Sequence, residues 1–231
     1  MVLPIISLRA DDWGDNKHYT NEPGMAASQA ICRSVKGLTP PAADLPNATD
    51  IAALKGCSSE DLYYGETGPA DPVKARKCAL AESHNGRDEP NTSHPFSGPT
   101  ILMMLYANGS GVTPNLDLAT HFACLIDGAP SENDFRVHTL AGQKGQQSTL
   151  PGFDYCEGIT SGYAQGFCAV RDSNLPNPRE TAKWAALSSR VLPAATSAFD
   201  ALFKASGEYE RSHGDREIDI SGSGRVAFMI D

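Results

Sequence analysis

The chain has 231 residues, 40% of them hydrophobic, and carries a formal net charge of −9 at pH 7. This length and composition predict one sizeable core or two small ones. The negative charge argues against a nucleic-acid partner, because phosphate backbones require clustered lysine and arginine, whereas an acidic surface would suit a basic partner. No stretch approaches the roughly 18 apolar residues of a membrane span, so no span is predicted.

The first 23 residues predict a loose leader to the folded domain. Val2 to Leu8 is apolar and is followed by Arg9 and Ala10, so this stretch is either the tail of a secretion signal or residues foreign to the protein. A helix is predicted from Met25 to Lys36, and the proline-rich stretch from Gly37 to Asn47 is predicted to connect it to the next helix.

A helical unit then occurs twice. In both copies an apolar helix ends in tyrosine, two glycines let the chain turn, and a second helix presents two alanines four residues apart for close packing. The copies run over residues 62–79 and 105–123, with the alanine pairs Ala75/Ala79 and Ala119/Ala123. Asp50 is expected to cap the first helix of the first copy, which would carry Ile51, Leu54 and Leu62 on its apolar side.

This pattern resembles the Sel-one-like repeat, a relative of the tetratricopeptide family. Its hallmark is a tyrosine, then Gly-x-Gly, then an acidic or amide residue four before a small one. The second copy fits, and the first is one residue short between glycine and alanine. The resemblance implies an all-α domain of helix-loop-helix repeats, over residues 24–140, that binds a partner.

Six cysteines lie at positions 32, 57, 78, 124, 156 and 168, and the sequence contains no Cys-x-x-Cys and no His-x-x-His pair. The sequence therefore predicts disulfides and no metal site, the alternative being reduced, buried cysteines in a cytosolic protein. Cys57 and Cys78 are equally distant from the first repeat turn, so we predict that they pair. Export to the periplasm or the exterior follows from oxidised cysteines.

The other pairings stay open at this stage. Cys124 is left to bond with Cys32, Cys156 or Cys168. Glycines at 158, 162 and 166 predict a helical packing face over Phe153 to Asp172. If Cys156 to Cys168 is one helix, the two ends lie roughly 18 Å apart and cannot pair with each other.

A linker over Ala141 to Pro151 predicts a second, C-terminal helical module over residues 152–231. Helices are expected over Arg179–Val191 and Ala194–Ser212, with a core stripe on the second. The stripe comprises Ala195, Ala198, Phe199, Leu202, Phe203, Ser206 and Tyr209. The end of the chain, from Glu217-Ile218-Asp219 to Arg225, resembles the LprI-type lysozyme-inhibitor domain over about residues 154–231, although its cysteine placement departs from that domain.

The sequence predicts no catalytic residue and no cofactor. It contains no Gly-x-Ser-x-Gly, Ser-x-x-Lys or His-Glu-x-x-His motif. Glu217 and Asp219 point one way on an extended strand, either as solvated charges or as an acid/base pair. His121, beside Phe122, is expected to be a structural or surface histidine.

The two resemblances predict a non-catalytic protein that occludes the active site of an envelope-degrading enzyme. The partner would be lysozyme, or a secreted lipase or cell-wall hydrolase effector delivered by type VI secretion. Tyr63, Tyr64 and Tyr106 are the predicted binding residues, with core packing as the alternative role of each, and Glu217 and Asp219 join them. The alternatives are an envelope enzyme acting on peptidoglycan or a β-lactam, and a periplasmic scaffold.

Overall fold

The computed structural model describes residues 12–19, 22–84, 96, 98–144, 152–175 and 185–216. Across these ranges the protein is α-helical without a β-strand, and disulfides staple it, as the sequence predicted. None of the helices in these ranges combines the length and apolar character that crossing a membrane requires. The predictions for Met1 to Ala10, for the start of the helix expected over Arg179–Val191, and for Glu217 and Asp219 lie outside the described residues.

The chain divides into two compact units, Met1–Thr160 and Ser161–Asp231. The helices of the first unit are α1 Pro23–Val35, α2 Ala48–Ala53, α3 Ser59–Tyr64, α4 Pro72–His84, α5 Pro99–Asn108, α6 Leu116–Ala123 and α7 Pro130–Gly142. The second unit contains α8 Gly162–Asn174 and α9 Thr196–Arg216, with a further helical turn over residues 185–188.

The two repeat copies fold as helical hairpins, α3–α4 and α5–α6. Gly65 and Gly109 end the first helices in the left-handed region, at φ 75° and 66°, which glycine adopts without a Cβ penalty. In each hairpin, the residue six positions after this glycine donates its backbone N–H to the carbonyl of the residue three positions before the glycine. The pairs are Asp71 to Leu62 at 2.8 Å and Asn115 to Tyr106 at 2.9 Å.

This shared turn changes the alignment of the two repeat copies that the sequence alone suggested. Counted from the capping glycine, the alanines stand at the same distance in both hairpins, and only the second glycine differs in position. Tyr106 is therefore equivalent to Leu62, and not to Tyr63. Ala75, Ala79, Ala119 and Ala123 are all 0% exposed, which confirms their role in close helix packing.

The α5 helix lies at the centre of the first unit, since every residue from Thr100 to Ala107 is buried.

The helix predicted from Met25 to Lys36 is present as α1. The single helix expected from Asp50 to Leu62 is wrong: the chain breaks into α2 and α3 because Gly56 adopts φ 77° and Ser58 caps a new helix. Asn47, and not Asp50, is the N-cap of α2, with Asp50 completing a capping box.

The first unit extends past the predicted linker to Thr160. Asn108 holds the segment that follows the linker, accepting from Phe153 N at 2.6 Å and donating to Phe153 O at 2.8 Å. Phe153 and Tyr155 are 3% and 2% exposed. Sequence reasoning also missed α7, whose first turn has Pro130 at a favoured position and Glu132 reaching back to the Ala129 N–H.

The disulfide prediction is confirmed for Cys57–Cys78. Cys124 pairs with Cys32, one of its three open partners. Cys156 and Cys168 are disulfide-bonded as well, and no cysteine is free. The helix expected from Phe153 to Asp172 is wrong, because Gly158 at φ 70° ends a turn and α8 begins at Gly162. The distance argument against pairing the last two cysteines with each other therefore fails.

In the second unit, α9 confirms most of the predicted last helix, but its apolar stripe is not core. Leu202, Phe203 and Tyr209 are 63%, 50% and 64% exposed. A periodic apolar stripe identifies the face that a helix can bury, and does not supply an element that covers it.

Candidate functional site

The described part of the first unit brings the two repeat turns together at one end of the hairpins. Tyr63 and Tyr64 are the last residues of α3, and Asn108 is the last residue of α5. The segment containing Asp154 runs beside them. We call these four residues the turn cluster.

Hydrogen bonds fix both tyrosine hydroxyls of the turn cluster. Asn108 Nδ2 donates to the Tyr63 hydroxyl at 3.3 Å, while the same amide holds the Phe153 backbone. The Tyr64 hydroxyl donates to Asp154 Oδ2 at 3.1 Å. The other oxygen of Asp154 accepts from the backbone N–H of Cys156 at 2.9 Å. Both hydroxyls are therefore tied to backbone-anchored groups.

Aromatic packing joins the cluster to the core. The rings of Tyr63 and Tyr64 meet edge to face at 4.8 Å, and Tyr64 meets Phe96 in the same way at 5.9 Å. Phe96 is 0% exposed and contacts Tyr155 at 5.2 Å. Edge-to-face packing fixes ring orientation, so the half-buried faces of Tyr63 and Tyr64 are held in place from below.

Carboxylates lie close to these tyrosines along the chain, and the Asp154 carboxylate contacts Tyr64 in space. Asp61 accepts from the backbone and the hydroxyl of Thr67, both at 2.6 Å, and so fixes the turn after α3. Glu60 and Asp61 occupy the first turn of α3, where the helix dipole favours negative charge. The surface around Tyr63 and Tyr64 is therefore aromatic and acidic.

Tyr106 lies apart from the turn cluster and is a core residue, the alternative role that the sequence left open. It is 1% exposed, and its hydroxyl donates to Asp44 Oδ2 at 3.0 Å. Burial, and then the Asp44 carboxylate, raise the pKa of Tyr106. Arg76 lies 3.4 Å from Asp44 and donates to the Gly111 carbonyl at 2.6 Å, so this network binds the connector before α2 to both hairpins.

Arg136 on α7 is a buried charge that sequence reasoning missed. It is 1% exposed, donates to Asn133, and lies 4.9 Å from the centre of the Tyr155 ring. Burial lowers its pKa. By supporting Tyr155, Arg136 supports the aromatic chain beneath the turn cluster. An arginine among the polar residues of a helix carries no sequence signal for such burial.

His121 has a structural role, which is one of the two roles that the sequence predicted for it. It is 7% exposed and packs against Phe122. Burial lowers its pKa, partly offset by the Asp12 carboxylate and a hydrogen bond with the Val35 backbone. Asp12 in turn has a raised pKa, chiefly because it is buried.

Two groups of metal-ligand residue types occur within the described ranges. One contains Asp12 with Cys32 and Cys124, and the other contains Glu82 with Cys57 and Cys78. In both groups the two sulfurs are joined in a disulfide. They are therefore not the thiolates that a metal ion requires.

Sequence reasoning found Tyr63 and Tyr64 but not Asn108 or Asp154. Asn108 precedes a capping glycine, which signals a helix end but not a contact with a distant tyrosine. Comparison with models of protein families, with curated proteins and with solved structures gave no match to this chain.

Proposed function

We propose that the protein is an exported, non-catalytic binding protein that inhibits an enzyme degrading the bacterial envelope by occluding its active site. The observation that carries the proposal is the turn cluster. Tyr63 and Tyr64 keep part of their surface open while Asn108 and Asp154 fix their hydroxyls. Fixed aromatic side chains are typical anchors of protein interfaces, because little side-chain entropy is lost on binding.

The charge of the chain supports an enzyme partner with a basic surface. The net charge is −9, and carboxylates flank the two tyrosines. Complementary charge accelerates association and excludes like-charged partners. The proposed contact surface therefore combines two aromatic anchors with an acidic rim.

The disulfides support an oxidising compartment as the place where the protein meets its partner enzyme. All six cysteines are oxidised, which is typical of proteins that mature in an oxidising compartment. We place the protein in the bacterial periplasm or outside the cell, where envelope-degrading enzymes act. The resemblance of the C-terminal region to the LprI-type inhibitor domain favours lysozyme as the target.

A cell-wall lysis assay tests the proposal. Lysozymes of the chicken type and of the goose type are titrated with the oxidised protein. We expect lysis by at least one of them to fall to zero near a one-to-one ratio, since occlusion is stoichiometric. Full activity of both lysozymes at tenfold excess would rule out the lysozyme version. The titration would then be repeated with type VI lipase and cell-wall hydrolase effectors.

The titration also separates this function from scaffolding and from catalysis. A scaffold protein would bind its partner without abolishing the partner's activity. An enzyme would act at ratios far below one to one, and its own turnover of peptidoglycan or a chromogenic β-lactam would be measurable without lysozyme.

A further inference from the structure

The Cys57–Cys78 disulfide differs from Cys32–Cys124 in how a thiol can reach it. Cys57 is half-buried at the surface of the first unit, whereas Cys78 is 0% exposed. Cys32 and Cys124 are 0% and 1% exposed. An attacking thiolate must reach a sulfur along the S–S axis. Of these four residues, Cys57 is therefore the one that keeps part of its surface open to an attacking thiolate in the folded protein.

A buried carboxylate stands beside the sulfur that would leave. Glu82 follows Cys78 by one helical turn on α4, is 8% exposed, and places Oε1 3.6 Å from Cys78 Sγ. It accepts from Ser59 N at 3.1 Å, from Ser59 Oγ at 2.6 Å and from Gly98 N at 3.1 Å. These bonds hold the carboxylate in place.

We propose that Cys57 is a thiol-exchange site at which a low-molecular-weight thiol such as glutathione forms a mixed disulfide, and that Glu82 controls the rate. The thiolate attacks Cys57 Sγ, a new S–S bond forms there, and the Cys57–Cys78 bond breaks. The electron pair leaves on Cys78 Sγ, which then takes a proton from solvent. No net oxidation occurs, because one disulfide is exchanged for another.

Glu82 opposes this step in its charged form. The leaving thiolate would develop next to a carboxylate in a buried site, where like charges repel more strongly than in water. The leaving-group ability of a thiol decides much of the exchange rate. The carboxylate thus slows cleavage of the disulfide that joins the α2–α3 connection to α4. It is a positioning residue, and of the two sulfurs it lies next to the leaving one, Cys78 Sγ.

The site is tested on the full oxidised chain under native conditions. The protein is incubated with reduced glutathione, free thiols are trapped by alkylation, and peptides are mapped by mass spectrometry. We expect glutathione on Cys57 and the trapping label on Cys78 while Cys32–Cys124 stays intact. Glutathione on Cys78, or equal rates at both disulfides, would overturn the proposal, because either result means that the reaction proceeds through unfolded protein.

The role of Glu82 is tested with Glu82→Gln. Removing the charge beside Cys78 should raise the rate of adduct formation at Cys57 about tenfold, with no change at Cys32–Cys124, the internal control. An unchanged or slower rate at Cys57 in a folded variant would contradict the guard role. If the variant does not fold, the site itself is still decided by peptide mapping of the unaltered protein.

Discussion

At the residue scale, Tyr106 shows how a shared motif can hide two different roles. It occupies the position of Leu62 in the other hairpin, and its hydroxyl donates to the half-buried Asp44 carboxylate at 3.0 Å. Tyr106→Phe removes this donor and leaves Asp44 short of one hydrogen bond. We expect the free energy of unfolding to fall by about 1 to 2 kcal/mol, measured by urea denaturation.

The matched control for this change is Tyr163→Phe. Tyr163 is 44% exposed, so losing its hydroxyl should change stability by less than about 0.5 kcal/mol. Equal effects of the two variants would show that the Tyr106 hydroxyl contributes nothing specific.

His121 should make stability depend on pH. Its pKa in the folded protein is lowered from 6.5, first by burial, so the unfolded chain binds a proton more readily. The stability tied to neutral His121 is thus fully present above pH 6.5 and is lost as the pH falls toward the folded pKa. We expect the unfolding free energy to decrease between pH 7.5 and pH 5, and His121→Gln to reduce this decrease.

The exposed His18 offers the control for that experiment. The contribution of Asp12 to stability has the opposite pH dependence, because the pKa of Asp12 is raised from 3.8. Its contribution is present below pH 3.8 and is lost as the pH rises through its folded pKa. The difference between His121→Gln and His18→Gln at each pH isolates the contribution of His121 together with its electrostatic interaction with Asp12. An identical pH profile in both variants would refute the assignment to His121.

At the element scale, the hairpins depend on a glycine that ends the first helix. A Cβ at Gly65 would lie 2.8 Å from the Gly68 carbonyl and 2.9 Å from the Ala70 nitrogen, and φ is 75°. Both neighbouring atoms are backbone, so they cannot move aside cheaply. Gly65→Ala should lower the free energy of unfolding by more than about 2 kcal/mol, measured by urea denaturation.

Gly24→Ala provides the comparison on α1, since a Cβ there meets nothing within 4 Å. This change should be neutral or stabilising by up to about 1 kcal/mol, because alanine restricts the unfolded chain. A similar loss of stability at both positions would mean that the turn geometry of Gly65 is not the cause.

Sequence patterns predicted the elements best where local chemistry decides them. The capping glycines and the alanine pairs specified the hairpins. Sequence patterns failed where the backbone conformation of one residue breaks a periodic stretch. Gly56 separates α2 from α3 in this way, and Gly158 precedes α8. Burial of the α9 stripe failed for another reason, since periodicity cannot report what packs against a helix.

At the scale of the whole molecule, the disulfides bind distant parts of the first unit. Cys32–Cys124 spans 92 residues and Cys57–Cys78 spans 21. In the loop-entropy model the longer loop stabilises by about 4.6 kcal/mol and the shorter by about 3.3 kcal/mol. We expect the Cys32→Ala/Cys124→Ala variant to be the less stable of the two double variants by urea denaturation. The reverse order would contradict the loop-length argument.

The turn cluster could be predicted only in part. Tyr63 and Tyr64 follow from the repeat pattern, but their partners Asn108 and Asp154 lie 45 and 90 residues further along the chain. Such contacts arise from the stacking of the hairpins and from the segment after the linker, which pattern reasoning assigned to the second domain. The disulfide between Cys57 and Cys78 was predictable because Cys57, just before α3, and Cys78, on α4, lie equally far along the chain from the turn of this hairpin.

The most direct test of the proposed function compares Tyr63→Ala/Tyr64→Ala with Leu38→Ala in the lysis titration. Leu38 is an exposed apolar residue of the same unit, at 39% exposure, and lies outside the turn cluster. We predict that the unaltered protein and Leu38→Ala abolish lysis near a one-to-one ratio, while the folded double variant requires at least about a tenfold higher concentration. Equal inhibition by all three proteins, or none by any against lysozymes and effectors alike, would contradict the account.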